Sequence, residues 1–417
     1  MRPRAAVAVL ALLAGCTVAG PRPARTTPPP RTATPSTTEP SVRVGVVVDT
    51  TSVRVTGSGE LALVTEDGRV RSRGRAGAEW TVRRLGEGIE ARGAGESVRV
   101  RGGLIARPIG SGEVAVDGTR YRGSILLIPS EAGITAVNLL DLESYLLGVV
   151  PLEIGAGRPP EELEAVKAQA IAARTYAIRN IGRRSDLGFD FYGSVLDQAY
   201  GGADAEDPVA ERAVRETRGQ VVVYEGEPIE AYYHSTCGGR TAAIDEVWDA
   251  DPKPYLRSVS DAKPGGGWYC EDSSRFRWTE EWGPGELEAA LTTGLADRLP
   301  NGARIRRVES MEITERTPSG RVGTLRIRTD QGEFRVHGDS VRWILRPEPG
   351  RILNSAAIEL HPYGHDGVAG LAVEGAGWGH GIGMCQVGAL GRARAGQSYR
   401  EILLTYYPGT EIARLYR

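Results

Sequence analysis

Phenylalanine is scarce, with four residues among 417, while glycine numbers fifty-five. That imbalance points to many turns and short strands. Charge of one sign is lacking too: the net charge is −2 and the pI is near 6.3. So even a balance exerts no global pull on nucleic acid or acidic lipid, and nucleic acid is set aside as a partner. No internal repeat of fixed period runs through the chain, and no Cys-x-x-Cys pair occurs. What remains is ordinary for a folded protein: 41% apolar residues and enough length for two or three domains, or for one large domain with an exported leader.

The N-terminus reads MRPRAAVAVLALLAGC. Arg2 and Arg4 form a basic start, and the apolar run Ala5–Leu13 is too short for a permanent membrane span. Leu13-Ala14-Gly15-Cys16 is similar to a bacterial lipobox, which implies a signal peptide over residues 1–16, lipid on Cys16 and an exported, membrane-anchored protein. Where the cell has two membranes, the expected location is the periplasmic face of the outer one. Residues 17–41 are Pro-, Thr- and Arg-rich with little to bury, and read as a disordered tether.

Residues 42–119 alternate in the manner of strands separated by glycine turns, which predicts a small β-rich subdomain with no evident chemical group. Its Gly-Arg richness over 71–103 reads as solvated strand faces. From Asn138 the texture changes. DLESYLLGVV predicts a helix capped by Asp141, and PPEELEAVKAQAIAARTYAIRN a second, with prolines at its start and acids in its first turn. Leu163, Val166, Ala170, Ala173 and Ala177 make a small-residue face for close packing. Lys167 and Arg174 share an adjacent stripe. Further strands are expected over 305–345, and helices over 285–299 and at the C-terminus. The fold class is therefore α+β.

Four stretches carry the chemistry: LESYLLGVVPLEIG, ELEAVKAQAIAARTYAIRN, YYHSTCGGRT with the following VWDADPKPYLRSV, and GWGHGIGMCQVGALGRARAG with its YYPGT tail. DQAYGG at 197–202 goes with them. In this order they resemble the SpoIID/LytB family of sporulation lytic transglycosylases and amidase enhancers, over residues 120–417. The resemblance implies binding of peptidoglycan glycan strands and, in catalytic members, cleavage between N-acetylmuramic acid and N-acetylglucosamine. Its acid corresponds to Glu153. The residues point the same way. A glycosidic oxygen needs a proton to leave, and Val149, Val150, Leu152 and Ile154 surround Glu153 with apolar groups that raise a carboxyl pKa. No second acid stands beside it, as a hydrolase would need, and this favours attack by the sugar's own 6-hydroxyl. The alternative is a non-catalytic glycan binder that recruits or activates an N-acetylmuramoyl-L-alanine amidase.

Glycan contacts are expected from Lys167, Gln169, Arg174 and Tyr176 on the second helix. Others are expected from His234, Ser235, Gly238 and Gly239, and from His380 and Gln386 in the C-terminal glycine loop. Lys167 and Arg174 are also read as orienting Glu153. The glycines are read as baring backbone toward the ligand. His234 and Cys237 leave alternatives open. An odd number of cysteines in the globular part (Cys237, Cys270, Cys385) allows one disulfide, Cys237–Cys270, or unpaired thiols. It also allows a zinc centre, in which His234, Cys237 and Cys270 would be joined by His380 or Cys385. Apart from that zinc, no cofactor is expected.

Overall fold

The computed structural model of the chain describes residues 38–300 and 302–417. The expected signal peptide with Cys16, and nearly all of the tether, lie outside the described residues. The first strand, Ser41–Thr50, begins where the tether was expected to end.

The fold is α+β, as the sequence indicates. Two large sheets dominate the N-terminal part. One has seven strands in the order Phe191–Tyr192, Ser41–Thr50, Ile134–Asp141, Ser124–Pro129, Leu104–Pro108, Leu61–Thr65, Val70–Gly74; the other has six. Period-two alternation puts Val42, Val44, Leu61 and Leu63 of the first sheet and Val53, Val55, Trp80 and Val82 of the second into one core. That core continues into the helices, and the seven-stranded sheet draws Ser124–Pro129 and Ile134–Asp141 from beyond residue 119. The N-terminal strands are thus a layer of the main body, because each sheet needs the other elements to cover its apolar face. The arginines of the 71–103 region do not form a basic patch. Arg83, Arg92 and Arg99, each about half exposed, converge on Glu90 and hold its carboxyl down at about 2, chiefly through the hydrogen bond from Arg83.

The described residues hold seven α-helices. Helix α1 is Leu142–Ile154, α2 Leu163–Asn180, α3 Pro208–Glu216, α4 Glu286–Gly294, α5 Val341–Ile344, α6 Gln386–Arg394 and α7 Tyr399–Tyr406. Helix α2 is buried almost all round and is packed on by α1, α3, α6 and α7. Its alanines let those neighbours approach closely. A second, separate core lies within residues 278–373, where Trp282, Leu291, Leu325, Val336 and Leu371 meet between two three-stranded sheets and α4 and α5. This module is inserted between the segments carrying Cys270 and Cys385. Its strands over 305–345 and α4 were legible in the sequence; the sheet of Trp278–Trp282, Ile358–Tyr363 and Gly370–Gly375 and the separate core were not.

Candidate active site around Glu153

Pro151 stands in the last turn of α1, and Gly155, at φ +94°, follows the helix end. A proline lacks the N–H that continues the ladder, and the positive φ turns the chain away. Glu153 is left half-buried at the electronegative end of the helix dipole, which disfavours a carboxylate.

Three donors grip it. The Ala199 N–H donates to Oε1 at 2.8 Å and the Gln386 amide to Oε2 at 3.4 Å. The Tyr233 hydroxyl donates as well. Burial pushes the Glu153 pKa up, the three hydrogen bonds pull it back, and the net stays above the ordinary carboxylate range. Uncharged groups continue outward. Gln198 Nε2 donates to the Tyr233 hydroxyl at 2.9 Å, and the Tyr145 hydroxyl donates to Gln198 Oε1 at 3.1 Å. The Gln386 amide also reaches Gln169 Oε1 at 3.4 Å. Gln169 is fully buried, and its Nε2 has no partner among the described residues. No carboxylate is among the groups in contact with Glu153 in the described residues.

Ala199 belongs to the DQAYGG turn, which is braced by its own aspartate. Asp197 accepts from the Tyr176 hydroxyl at 3.1 Å and the Tyr192 N–H at 2.9 Å, and pairs with Arg184 at 2.7 Å. Tyr176 therefore acts on the turn that holds Glu153, through Asp197. Leu152, the neighbour of the acid in the chain, is half exposed, with its side chain close to Gly201 of the same turn.

Two expected contacts lie elsewhere. Arg174 is fully buried and forks onto Glu143, with Nε to Oε1 at 2.8 Å and Nη2 to Oε2 at 2.7 Å. Glu143 opens α1 and Glu153 closes it, ten residues on, so the two are separated by about 15 Å of helix. Arg174 cannot orient the acid; it ties α1 to α2 and to the C-terminal Tyr416, whose hydroxyl also donates to Glu143. Lys167 pairs with Glu164 at 2.8 Å and Glu216 at 2.7 Å. The shared stripe was real, but acids on α2 and α3, with Glu143 of α1, claim both cations.

The reading of the HSTCGG and GWGHGIG glycines as backbone bared to a ligand is also corrected. Gly238, Gly377, Gly379 and Gly383 lie against the facing segment, Gly239 against the Trp268 ring and Gly381 against the Arg321 guanidinium. A Cβ on Gly377 would stand 2.5 Å from the Thr236 carbonyl oxygen, and one on Gly379 would stand 2.8 Å from His234 Cβ. The two loops interlock through the parallel pairs Tyr233–Met384 and His234–Cys385. His234 Nδ1 donates to the Ile382 carbonyl at 3.1 Å, and burial drives its pKa well below normal. His380 accepts from the Ile382 N–H on Nδ1 and donates to the Tyr233 carbonyl through Nε2 at 3.0 Å. Burial holds it neutral, at about 3. It packs between Tyr232 and Trp248, with centroids at 6.2 and 5.1 Å. Both histidines thus brace the strand that presents Tyr233. Ser235 contacts Thr236 at 3.3 Å. Of the tryptophans, Trp378 is half exposed.

Cys237 and Cys270 come together as expected, but their sulfurs are 3.5 Å apart and all three described cysteines are free thiols, Cys385 beside them. His234 is not in that cluster; Asp261 is.

The family described as Stage II sporulation protein (SpoIID) matches residues 130–224, which hold Glu153, Gln169 and the DQAYGG turn. Stage II sporulation protein D of Bacillus amyloliquefaciens is 30% identical over 293 residues, covering 67% of this chain and 76% of that one. The chain belongs to the SpoIID family. An uncharacterized protein of Brachyspira hyodysenteriae is 32% identical over 299 residues, covering 71% of this chain and 73% of the other. The Amidase enhancer of Bacillus subtilis is 30% identical over 329 residues, 72% of this chain, though the match spans only 45% of the enhancer. A domain of unknown function, DUF8618, matches residues 265–383, which contain the second core of this SpoIID protein. No helix among the described residues is long and apolar enough to cross a membrane.

Tyr233, Gln198 and Ala199 were not singled out from the sequence, although YYHST and DQAYGG both were. The hydrogen bonds that bring them to Glu153 cross between segments far apart in the chain.

Proposed function

We propose that the protein is a lytic transglycosylase acting on peptidoglycan glycan strands freed of their stem peptides. The observation that carries this reading is the half-buried, raised-pKa Glu153 held by neutral donors with no partner carboxylate in contact. Glu153 gives its proton to the glycosidic oxygen between N-acetylmuramic acid and N-acetylglucosamine as the bond to C1 breaks. The 6-hydroxyl oxygen of the muramic sugar bonds to C1, and its proton returns to Glu153. The products are a 1,6-anhydro end and a free 4-hydroxyl; no water is consumed and the acid is regenerated. Leu152, half exposed and next to Glu153 in the chain, is suited to a sugar's apolar face.

Incubating the protein without residues 1–41 with peptide-free strands is expected to release fragments lighter by one water than hydrolysed ends. Binding of strands without any cleavage would favour the second reading, that of a glycan-bound activator of an N-acetylmuramoyl-L-alanine amidase. The similarity to a protein named Amidase enhancer supports that alternative.

The pH dependence follows from the sign of the Glu153 shift. The acid is active only while protonated, so the rate falls as pH rises through a pKa above the usual carboxylate range. Gln386→Leu removes a hydrogen bond to the ionised form and is expected to move this alkaline limb to higher pH. A limb that stays put in the variant would show that Gln386 does not tune the acid.

The lipobox reading places the protein on a membrane through Cys16. Cys16→Ser is expected to leave an unprocessed precursor or to release the protein from the membrane fraction. Full processing and attachment in the variant would refute the anchor.

A further inference from the structure

We propose that Cys237, Cys270, Cys385 and Asp261 form a closed structural zinc site that fastens the segments carrying Tyr233 and Gln386 against Glu153. The sulfurs of Cys237 and Cys270 are 3.5 Å apart, Cys237 Sγ lies 3.7 Å from Asp261 Oδ2, and all four donor atoms fall within 4.8 Å of one another. Tetrahedral zinc with Zn–S bonds of about 2.3 Å sets its sulfurs about 3.8 Å apart, so the cluster already has the right size. All four residues are buried, and the cysteines come from three separated segments. Three thiolates and one carboxylate make a borderline-soft donor set that suits zinc.

The surroundings are those of a supported ligand set. Backbone N–H groups point at the sulfurs: Gly239 to Cys237 at 3.4 Å, and Cys237 and Gly388 to Cys385, each at 3.2 Å. These stabilise thiolates. Asp261 is fully buried and presents one oxygen to the thiols. Its other oxygen accepts from the Tyr406 hydroxyl at 2.7 Å and from Arg392 Nη2 at 3.1 Å. That division of labour orients a ligating carboxylate. Arg392 is itself held over the Tyr269 and Tyr406 rings at 4.3 and 5.1 Å. A disulfide between Cys237 and Cys270 would leave the Cys385 thiol buried beside it without a covalent partner.

The place of the site gives it a purpose. Cys237 follows the short strand Tyr233–His234 that presents Tyr233, and Cys385 precedes Gln386, whose amide touches Glu153. Cys270 immediately precedes the inserted module. The metal would lock these three segments together. With four protein ligands and no open position it would have no role in the chemistry.

The test uses protein purified without chelator and does not depend on glycan cleavage. One zinc per chain is expected by elemental analysis, lost in Cys385→Ser. Cobalt exchanged into the site is expected to show intense sulfur-to-cobalt charge-transfer absorption with a tetrahedral pattern. Tyr406→Phe, which leaves all four ligands in place, is expected to weaken zinc binding by about 10–100-fold. Metal-free native protein would overturn the proposal, whether its thiols are free to alkylate or Cys237 and Cys270 appear as a linked peptide. Zinc that survives Cys385→Ser at full occupancy would overturn it too.

Discussion

Glu153→Gln is expected to abolish most strand cleavage while leaving strand binding intact. The amide keeps the size of the carboxyl and still accepts from the Ala199 N–H, now at 2.8 Å from Oε1, but it has no proton to give. General acid catalysis is typically worth about 10²–10⁴-fold, so the rate should fall by about that factor. Strand affinity, measured by pull-down on insoluble glycan, should stay close to that of the parent. Cleavage at the parental rate in the variant would mean that the proton comes from another group. Loss of binding together with cleavage would point to a collapsed site and not to missing chemistry. Gln198 and Tyr233, linked at 2.9 Å, keep the pocket's shape independently of the acid's charge.

Arg174→Met is expected to damage stability as heavily as Glu153→Gln damages activity. Removing the guanidinium strands Glu143 in the core, where only the Tyr416 hydroxyl and the Gly219 N–H still reach it. Breaking one side of a buried pair costs about 3–5 kcal/mol, readable as a lower denaturant midpoint. Lys167→Ala loses only a partly exposed pair and should cost about 1 kcal/mol or less. The sign with pH is also fixed. Burial pushes the Glu143 carboxyl up, but Arg174 pulls it further down, and the net lies below the ordinary value. Its contribution is present above the unfolded carboxyl pKa and fades as pH falls through the folded one. The gap between parent and Arg174→Met should therefore narrow in acid. A gap of constant size across that range, or equal costs for the two variants, would show that the Glu143 pair is not what Arg174 supplies.

Local pattern carried much of the fold. Period two gave the strands of the N-terminal layer, and α1, α2 and the C-terminal helices followed from caps and small-residue faces. Glu153 stood out as the candidate acid through the family resemblance, supported by its apolar neighbours; of these Val149, Val150 and Ile154 are buried and Leu152 is half exposed. What sequence missed depends on partners remote in sequence. Arg174 looked like a site cation because its stripe on α2 was visible, while Glu143, 31 residues earlier, gave no sign of being its partner. The paired glycines of HSTCGG and GWGHGIG looked like bare ligand backbone; most of them in fact make room for the facing segment, far away in the chain. Asp261 was invisible as a companion of the cysteines, because nothing in its spacing to Cys270 resembles a ligand motif. Residues 278–373 could not be seen to form a separate core, because strand alternation shows which face is buried but not against what.

The central claim is that one half-buried acid, without a second carboxylate, lets the sugar cleave itself. Digesting peptide-free glycan strands in water enriched in heavy oxygen tests that claim most directly. The expected result is 1,6-anhydro ends carrying no heavy oxygen, formed by the parent and not by Glu153→Gln. Reducing ends that carry the heavy isotope would show that water is the nucleophile and would contradict the account.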